Sequence, residues 1–260
     1  FLEKDYQIVT IDKKISKNDP GNLNNFEKSN IVIHAAANTG IQKSWENSDE
    51  FYQDNIFSTK AIIDYCLKHD ATLIYISSYL YGNTKILPTP ETVKLIAMNP
   101  YASSKKECEE LCLYYQKKSL LKLVIVRPFN IYGYFKKSHQ LIMSILNQAI
   151  KEKKVVVSDL QPKRDMLYII DFCKFIRNLI EKNIVNDIFN VGSGENYSVK
   201  EIIEIIQKLS NSHFQVHCTN ELRKNEIFET RADISKAKKT LNWQPSWSIE
   251  KGILATIESF

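Results

Sequence analysis

The sequence predicts an α/β protein built on a parallel β-sheet. Short apolar runs rich in β-branched residues recur along the first half of the chain, and long segments with helical periodicity separate the later ones. Continuous apolar strands that alternate with helices indicate a parallel sheet covered on both faces. The predicted strands cover residues 6–11, 30–36, 72–78 and 122–128.

The helices between these strands follow from the spacing of apolar residues. A helix is predicted over 48–68 and a second one over 101–118. Ser198 and Glu201 form the pattern of a capping box at the start of a later helix. Beyond residue 133 the pattern is less regular, with helices predicted near 138–153, 171–183 and 199–210 and short strands at 154–158, 167–170 and 187–191.

Composition excludes several classes of protein. The 260 residues are 43% hydrophobic, and 35 basic residues face 30 acidic ones, so the scattered lysines favour a solvated surface over nucleic-acid binding. No apolar run approaches the ~20 residues of a membrane span, and no signal peptide is visible. The five cysteines contain no C-x-x-C pair, which favours a reducing compartment such as the cytoplasm.

The segment "HFQVHC" is the one stretch that suggests a metal site. His213, His217 and Cys218 lie in it, and it has the alternation of a strand. Residues four apart on a strand share a face, but the usual set of ligands is missing. We therefore expect no metal site here.

Asp12 ends the first predicted strand. In dinucleotide-binding folds an acidic residue at this place binds the adenosine ribose, and the glycine-rich turn lies about 20 residues earlier, which is before Phe1. None of the seven glycines belongs to a G-x-G-x-x-G pattern, and "VGSGENY" (191–197) supplies only two of the three. We expect a chain that lacks the first strand and the glycine loop of a longer enzyme, although Asp12 can also be an ordinary acid at a strand end.

Tyr101 and Lys105 in "NPYASSK" lie one helical turn apart. Alone, this pattern favours the entry of a helix with an exposed tyrosine and lysine over a chemical role. Other motifs surround it in a fixed order, and together they resemble the extended short-chain dehydrogenase/reductase family, the NAD-dependent epimerases and dehydratases of nucleotide sugars. These motifs are "IVIHAAA" (31–37), "YISSYLYG" (75–82), "NPYASSK" (99–105), "VRPFNIYG" (126–133), "PKRDMLYIID" (162–171), "FNVGSGENYSVKEI" (189–202) and "ADISKAKKTLNWQP" (232–245).

The resemblance implies a catalytic role for three residues. Tyr101 would abstract the proton of a sugar hydroxyl, Lys105 would lower its pKa and bind the nicotinamide ribose, and Ser77 would orient the hydroxyl. A free tyrosine has a pKa near ~10, so a shift of ~3 units needs roughly 4 kcal/mol of preferential stabilisation of the phenolate. A nearby ammonium group and the positive nicotinamide ring can supply this energy.

The resemblance also implies the cofactor site. His34, Ala35 and Ala36 would pass along the pyrophosphate, and Asn55 and Pro128 would lie near the cofactor, together with Tyr101 and Lys105. Asp12 favours NAD over NADP, because a carboxylate repels a 2′-phosphate. His34 can instead be a structural histidine.

The expected substrate is a UDP- or dTDP-linked sugar. The resemblance implies that Ser78 and Asn130 contact it and that Arg164 and Arg223 bind its diphosphate, for which a planar guanidinium is suited. Each arginine can equally form a surface ion pair.

The residues after Ser77 bear on the type of reaction. Sugar 4,6-dehydratases of the family carry an acid pair at these two places, whereas Ser78 and Tyr79 occupy them here. The resemblance therefore implies an epimerase that works through a transient keto intermediate. Two alternatives stay open: a keto-reductase that consumes reduced cofactor, and a nucleotide-sugar-binding protein without turnover.

The resemblance implies a Rossmann-type doubly wound parallel sheet followed by a smaller substrate lobe near the C-terminus. We predict that 1–133 and 166–192 form the cofactor domain, and that 134–165 and 193–260 form the substrate lobe. A homodimer through the helices at 48–68 and 101–118 is expected by analogy.

Overall fold

The computed structural model describes residues 2–11, 23, 26–119, 121–135, 140–211, 213–221 and 225–260. Contacts divide the chain into two compact units. The first unit holds 1–82, 94–128 and 179–189, and the second holds 83–93, 129–178 and 190–260. The predicted cofactor domain included 83–93 and 129–133, and both segments belong to the second unit here. The functions assigned to the two predicted domains stay predictions.

The first unit has the predicted alternation of strands and helices. In chain order it contains β1 (Ile31–His34), α1 (Ile41–Glu46), α2 (Ser48–His69), β2 (Thr72–Ile76), α3 (Pro100–Ser119) and β3 (Leu123–Pro128). β2 pairs in parallel with β1 and with β3, and β8 (Asp187–Val191) completes the sheet order β1-β2-β3-β8. The predicted α/β fold with a parallel central sheet is confirmed.

One predicted strand is absent. Residues 7–10 of the apolar run "YQIVTI" have no strand conformation, and Ile8 and Val9 are about half exposed. A strand requires a neighbour that pairs with its backbone groups. None of the described strands pairs with this run, so the prediction of a strand over 6–11 is wrong for the residues that the structure describes.

The core of the first unit lies between the sheet and the helices α2 and α3. Every residue of β3 is buried, which agrees with its continuous apolar sequence. Cys108 and Cys112, one turn apart on α3, are fully buried in the same cluster, so they pack as small apolar side chains. Ile63, Leu73, Tyr75 and Ile125 belong to this core.

The second unit mixes helices with short strands. It contains β4 (Asn130–Tyr132), α4 (Leu141–Glu152), β5 (Lys154–Val157), β6 (Lys163–Arg164), β7 (Met166–Tyr168), most of α5 (Ile169–Glu181), β9 (Tyr197–Ser198), α6 (Val199–Ser210), β10 (Gln215–Cys218), α7 (Ser235–Leu241) and α8 (Ile249–Glu258). The predicted capping box is confirmed, because Ser198 Oγ accepts from Glu201 N and Glu201 in turn accepts from Ser198 N. Along the described ranges, no helix is long and apolar enough to cross a membrane.

Candidate active site

The candidate site lies where the parallel strands of the first unit end. His34 closes β1, Ser77 and Ser78 follow β2, and Pro128 closes β3. Because these neighbouring strands are parallel, their carboxyl ends meet at one edge of the sheet, which is where open α/β sheets bind ligands.

Helix α3 brings the tyrosine and the lysine to this edge. Asn99 caps the helix, since its Oδ1 accepts from Ala102 N at 2.8 Å, and Pro100 takes the first helical position. Tyr101 therefore lies in the first turn and Lys105 one turn later, on the same side of the helix. The "NPYASSK" segment is a helix entry, and its lysine points inward.

Lys105 is buried, with a relative exposure of 3%. Its Nζ donates to the carbonyl of Ile76 at 2.6 Å and lies 4.3 Å from the centre of the Tyr75 ring. Burial lowers the pKa of Lys105 to about 8, although the Glu109 carboxylate opposes this shift. The ammonium group is thus held at the end of β2 by a carbonyl and an aromatic ring.

Tyr101 is half-buried beside the same strand end, where the Phe51 ring meets it edge-on at 6.4 Å. Burial raises the pKa of Tyr101, and a hydrogen bond with the Ser78 side chain opposes that rise. A base at this position needs further stabilisation of its phenolate before it can act at neutral pH.

Ser77 is held in a buried network of polar side chains. Its hydroxyl donates to Glu109 Oε2 at 2.8 Å. Arg127 donates to both oxygens of that carboxylate, and its Nη1 donates to Tyr81 Oη at 2.9 Å. Glu109 and Arg127 are at most 5% exposed. This ion pair was not predicted from the sequence. The arginine within the apolar run "KLVIVRP" is the signal for it, because a charge in a buried strand needs a buried counter-charge.

Asn55 connects three elements of the site. Its Oδ1 accepts from Asn38 N at 2.7 Å, and its Nδ2 donates to Ser104 Oγ at 2.9 Å and to Asn38 O at 3.3 Å. Asn55 is 2% exposed, so these hydrogen bonds replace water completely. The amide therefore fixes the loop after β1 against helices α2 and α3.

His34 is a buried neutral histidine. Its Nε2 lies 3.1 Å from Thr59 Oγ1, and that hydroxyl donates its own proton to Asn55 O at 2.7 Å. A hydroxyl has one proton to donate, so Thr59 accepts from His34 and the histidine carries its proton on Nε2. Burial, and then the charge of Lys105, lower the pKa of His34 to about 3. Ala35 and Ala36, which follow, are exposed.

The predicted substrate residues Asn130 and Arg164 lie in the second unit. Asn130 donates from its backbone N and from Nδ2 to the carbonyl of Asp165, at 3.1 and 2.9 Å. Arg164 forms an ion pair with Glu226 and donates to the carbonyls of Lys163 and Phe228. Asp12 and Arg223 fall outside the described residues, so the structure gives no position for them.

Asp165 organises the "VGSG" loop, a role that the sequence did not suggest. Its Oδ1 accepts from Ser193 N and Oγ at 2.6 and 2.8 Å, and its Oδ2 accepts from Gly194 N and Ala232 N at 3.0 and 2.9 Å. A Cβ on Gly192 would lie 2.7 Å from Asp165 Oδ2, so only glycine fits there. Complete burial raises the pKa of Asp165 to about 6, although the hydrogen bonds from these donors lower it.

Asp171 has a similar structural role at the start of α5. Its Oδ2 accepts from Ser246 N and Trp247 N at 2.8 and 2.9 Å, and its carbonyl accepts from Trp243 Nε1 at 3.2 Å. The acids in "PKRDMLYIID" thus tie the segments near residues 193, 232 and 246 to this part of the unit. Within the described ranges, no group of three or more His, Cys, Asp or Glu residues could hold a metal ion.

Open parallel α/β sheets bind dinucleotides at their carboxyl edge, and this edge of the sheet carries the small residues, the serines and the tyrosine–lysine pair described above. The model of the NAD dependent epimerase/dehydratase family matches residues 1–192. The chain belongs to this family of enzymes, which confirms the resemblance and the Rossmann-type fold.

Relatives of the chain include two named enzymes. UDP-glucuronate 4-epimerase of Thermodesulfobacterium geofontis is 34% identical over 242 residues, which are 89% of this chain and 73% of the relative. GDP-6-deoxy-D-mannose reductase of Pseudomonas aeruginosa is 26% identical over 247 residues, which are 90% of this chain and 81% of the relative. The names of both relatives describe enzymes that act on nucleotide-linked sugars.

A solved structure has the same fold. UDP-glucuronic acid 4-epimerase of Bacillus cereus, in complex with UDP-glucuronic acid and NAD, aligns with a TM-score of 0.83 at 26% identity. The alignment covers 95% of this chain and 76% of that one.

Proposed function

We propose that the protein is an NAD-dependent epimerase of a nucleotide-activated sugar that works through a transient keto intermediate. The observation that carries this proposal is the arrangement at the head of α3. Tyr101 lies in the first turn of the helix, and one turn further along the buried Lys105 ammonium donates to the carbonyl of Ile76.

The residues present fit a dinucleotide. The exposed Ala35 and Ala36 leave space at the end of β1 for a close approach of the pyrophosphate, and Asn55 holds the loop that follows. Pro128 closes the neighbouring strand, and Lys105 would turn its ammonium to the nicotinamide ribose. Asp12 supports NAD over NADP, by repulsion of a 2′-phosphate. When bound, NAD supplies a positively charged ring and takes up and returns a hydride.

Tyr101 is the proposed base and then the proposed acid. Its phenolate would take the proton of the sugar hydroxyl and later give it back to the keto oxygen, after the sugar has turned its other face to the cofactor. Ser77 would orient the hydroxyl. The charge of Lys105 supports the phenolate, since an opposite charge within a few ångström favours the ionised form.

The nucleotide sugar is the proposed substrate, linked to UDP or dTDP. Asn130 and Ser78 would contact it, and Arg164 and Arg223 would bind its diphosphate. For Arg164 this requires exchange of part of its pairing with Glu226 for phosphate oxygens, which offer the same bidentate geometry.

Dehydration is disfavoured. The two positions after Ser77 carry a hydroxyl and a phenol, and the carboxylate that does contact Ser77, that of Glu109, accepts from Arg127 on both oxygens. Both oxygens of this carboxylate are engaged in the buried network, so neither is available for the elimination of water. The similarity to GDP-6-deoxy-D-mannose reductase supports keto-reduction as the second candidate.

A homodimer is proposed through the outer faces of α2 and α3. Phe57 on α2 and Tyr114 on α3 have exposed side chains, at 71% and 57%. Exposed aromatic residues on neighbouring helices are typical of a surface that another protein covers.

The test is incubation of the purified protein with NAD and, in turn, UDP-glucuronate, UDP-glucose and a dTDP-sugar. Epimerisation gives a new sugar peak by anion-exchange chromatography and no net NADH. Net consumption of NADH or NADPH with a keto-sugar would instead support the reductase. Tyr101→Phe should abolish either reaction and leave the fold unchanged, and full turnover by this variant would refute the proposed chemistry.

A further inference from the structure

Tyr75 places an aromatic ring against the Lys105 ammonium. It lies in β2, one residue before Ile76, whose carbonyl accepts from Lys105 Nζ at 2.6 Å. The centre of the Tyr75 ring lies 4.3 Å from the same Nζ. Neither Tyr75 nor Lys105 is more than 3% exposed, so the ring meets a desolvated cation, and a cation–π contact is strongest under this condition.

The hydroxyl of Tyr75 does not explain why a tyrosine is buried here. Buried tyrosines usually place their hydroxyl on a hydrogen-bond partner. Among the described residues, the hydroxyl of Tyr75 has no such partner beyond the weak one that the Cys108 thiol can offer. The contact that distinguishes this side chain is therefore the one that its ring makes with the ammonium.

The strand register fixes the position of the ring. His34 of β1 and Ile125 of β3 are the partners of Tyr75 in the parallel sheet, so the three side chains project from the same face. The His34 and Tyr75 rings lie 5.7 Å apart between their centres, and Ile125 is fully buried in the same core as Tyr75. The ring is thus confined from both neighbouring strands and has little freedom to turn away from Lys105.

Lys105 and Glu109 have the spacing of an ion pair but do not form one. They lie one turn apart on α3, where opposite charges usually meet. Both are among the residues that the structure describes, and the Glu109 carboxylate accepts from Arg127 and Ser77 instead. The ammonium is therefore left to the end of β2, where the Tyr75 ring and the Ile76 carbonyl hold it.

We propose that Tyr75 is a positioning residue of the active site, whose ring face keeps the Lys105 side chain protonated and holds its ammonium at the end of β2. This inference rests on the proposed function, in which the charge of Lys105 supports the Tyr101 phenolate. It adds that the aromatic ring at position 75, and not its hydroxyl, maintains that charge. The Ile76 carbonyl takes one of the three ammonium hydrogens, so the others can point to the phenolate and to a ribose hydroxyl.

Lys105 is the group of this cluster that changes its charge near pH 8. Burial lowers the pKa of His34 to about 3 and raises the pKa values of the tyrosines and thiols nearby. The ionisable groups on the elements packed around Lys105 are His34 on β1, Cys66 on α2, Tyr75 on β2, Arg127 on β3, and Tyr101, Cys108, Glu109 and Cys112 on α3. A shift of the titration near pH 8 therefore reports on Lys105.

The first test changes the electrons of the ring and keeps its shape. Position 75 receives phenylalanine, or a phenylalanine with one, two or three ring fluorines, which withdraw negative charge from the ring face. Lysine labelled with ¹³C at Cε gives a signal that moves when the ammonium loses its proton, and Lys105→Met identifies the Lys105 signal by its loss.

The pKa of Lys105 should stay close to its wild-type value in Tyr75→Phe. It should then fall with each fluorine, by about 0.5 to 1.5 units over the series, because a weaker cation–π contact favours the neutral amine. A pKa that does not change with the number of fluorines would overturn the proposal. This titration needs no turnover: if the protein converts no nucleotide sugar, the proposed function fails and the role of Tyr75 is still decided.

The pH profile of kcat/KM tests the same contact in the working enzyme. Tyr75→Leu removes the ring, so the decline of kcat/KM at high pH should begin about 0.5 to 1.5 pH units lower than in the wild type. Tyr75→Phe keeps the ring face and should restore the wild-type profile. A lower kcat/KM in Tyr75→Leu with an unmoved decline would mean that Tyr75 only fills the core.

Leu73→Ala is the matched control for Tyr75→Leu. Leu73 lies two residues earlier on β2, points to the same face and is fully buried in the same core. The variant creates a cavity and should lower the melting temperature, but it should leave the pKa of Lys105 and the high-pH decline unchanged. Equal pKa shifts in Leu73→Ala and Tyr75→Leu would refute a specific role of the ring. If Tyr75→Leu does not fold, the fluorinated series still decides.

Discussion

His34 Nε2 and Thr59 Oγ1 lie 3.1 Å apart in a buried part of the first unit, and the direction of this hydrogen bond is determined by the Thr59 hydroxyl, which donates to Asn55 O. The pair makes His34 a neutral histidine that supports Asn55. Its place along the cofactor pyrophosphate stays a prediction. His34, Thr59 and Asn55 thus connect the end of β1 to α2.

This pair predicts a pH dependence of stability. The pKa of His34 is about 3 when folded and 6.5 in the unfolded chain, so the unfolded state binds more protons between these values. The free energy of unfolding therefore falls as the pH is lowered through this window, by about 1.6 kcal/mol from pH 6.5 to pH 5. In His34→Gln, whose amide can still donate to Thr59, this part of the slope should disappear.

The measurement is urea denaturation from pH 5 to pH 8 for both proteins. The difference between wild type and His34→Gln should grow in favour of the variant as the pH falls. His213→Gln is the matched control, since His213 is exposed, and should leave the slope unchanged. Parallel curves for wild type and His34→Gln would contradict a neutral buried histidine.

Lys105 predicts a limit on activity at high pH. Its pKa is about 8, so its ammonium loses its charge as the pH rises through that value and no longer supports the Tyr101 phenolate. We expect kcat/KM to decline above about pH 8. In Lys105→Met, kcat/KM should fall roughly 10²-fold or more, and the decline above about pH 8 should disappear. Lys106→Met, which changes the next residue of α3, should keep the wild-type kcat/KM and the same decline.

Asn55 predicts a coupled loss of stability and cofactor binding. Asn55→Ala removes the side-chain oxygen that accepts from the part-buried Asn38 N, which should cost about 1–3 kcal/mol of unfolding free energy. It should also weaken NAD binding, because the loop after β1 is released. Ser104→Ala removes only one of the partners of Asn55 and should cost less on both counts. Calorimetry of unfolding and a fluorescence titration with NADH measure the two effects.

The hydrogen bonds of Asp165 predict a large loss of stability when one of its carboxylate oxygens is replaced by an amide NH₂. In Asp165→Asn an amide group would face backbone N–H donors, so a donor meets a donor in a fully buried place. We expect a loss of about 2–4 kcal/mol in unfolding free energy. Asp64→Asn, in an exposed pair with Lys60, should change it by less than about 0.5 kcal/mol. Equal melting temperatures for the two variants would refute the role of Asp165.

The sequence predicted most of the regular structure because its signals are local. The helix predicted over 101–118 is observed as α3, and the strand predicted over 187–191 is observed as β8. The capping box of Ser198 is observed with both of its hydrogen bonds. Periodicity and caps depend on residues within a few positions of one another. The run at 6–11 failed because a strand also depends on a neighbour elsewhere in the chain.

The sequence by itself determined the family, the order of the elements and the spacing of Tyr101 and Lys105, because each of these is carried by residues close together in the chain. Only the tertiary structure decided which hydroxyl meets which partner. Ser77 and Ser78 are indistinguishable as letters, yet it is the hydroxyl of Ser77 that donates to Glu109. The physical reason is that a buried polar group must find its partner in space, and that partner can lie anywhere along the chain.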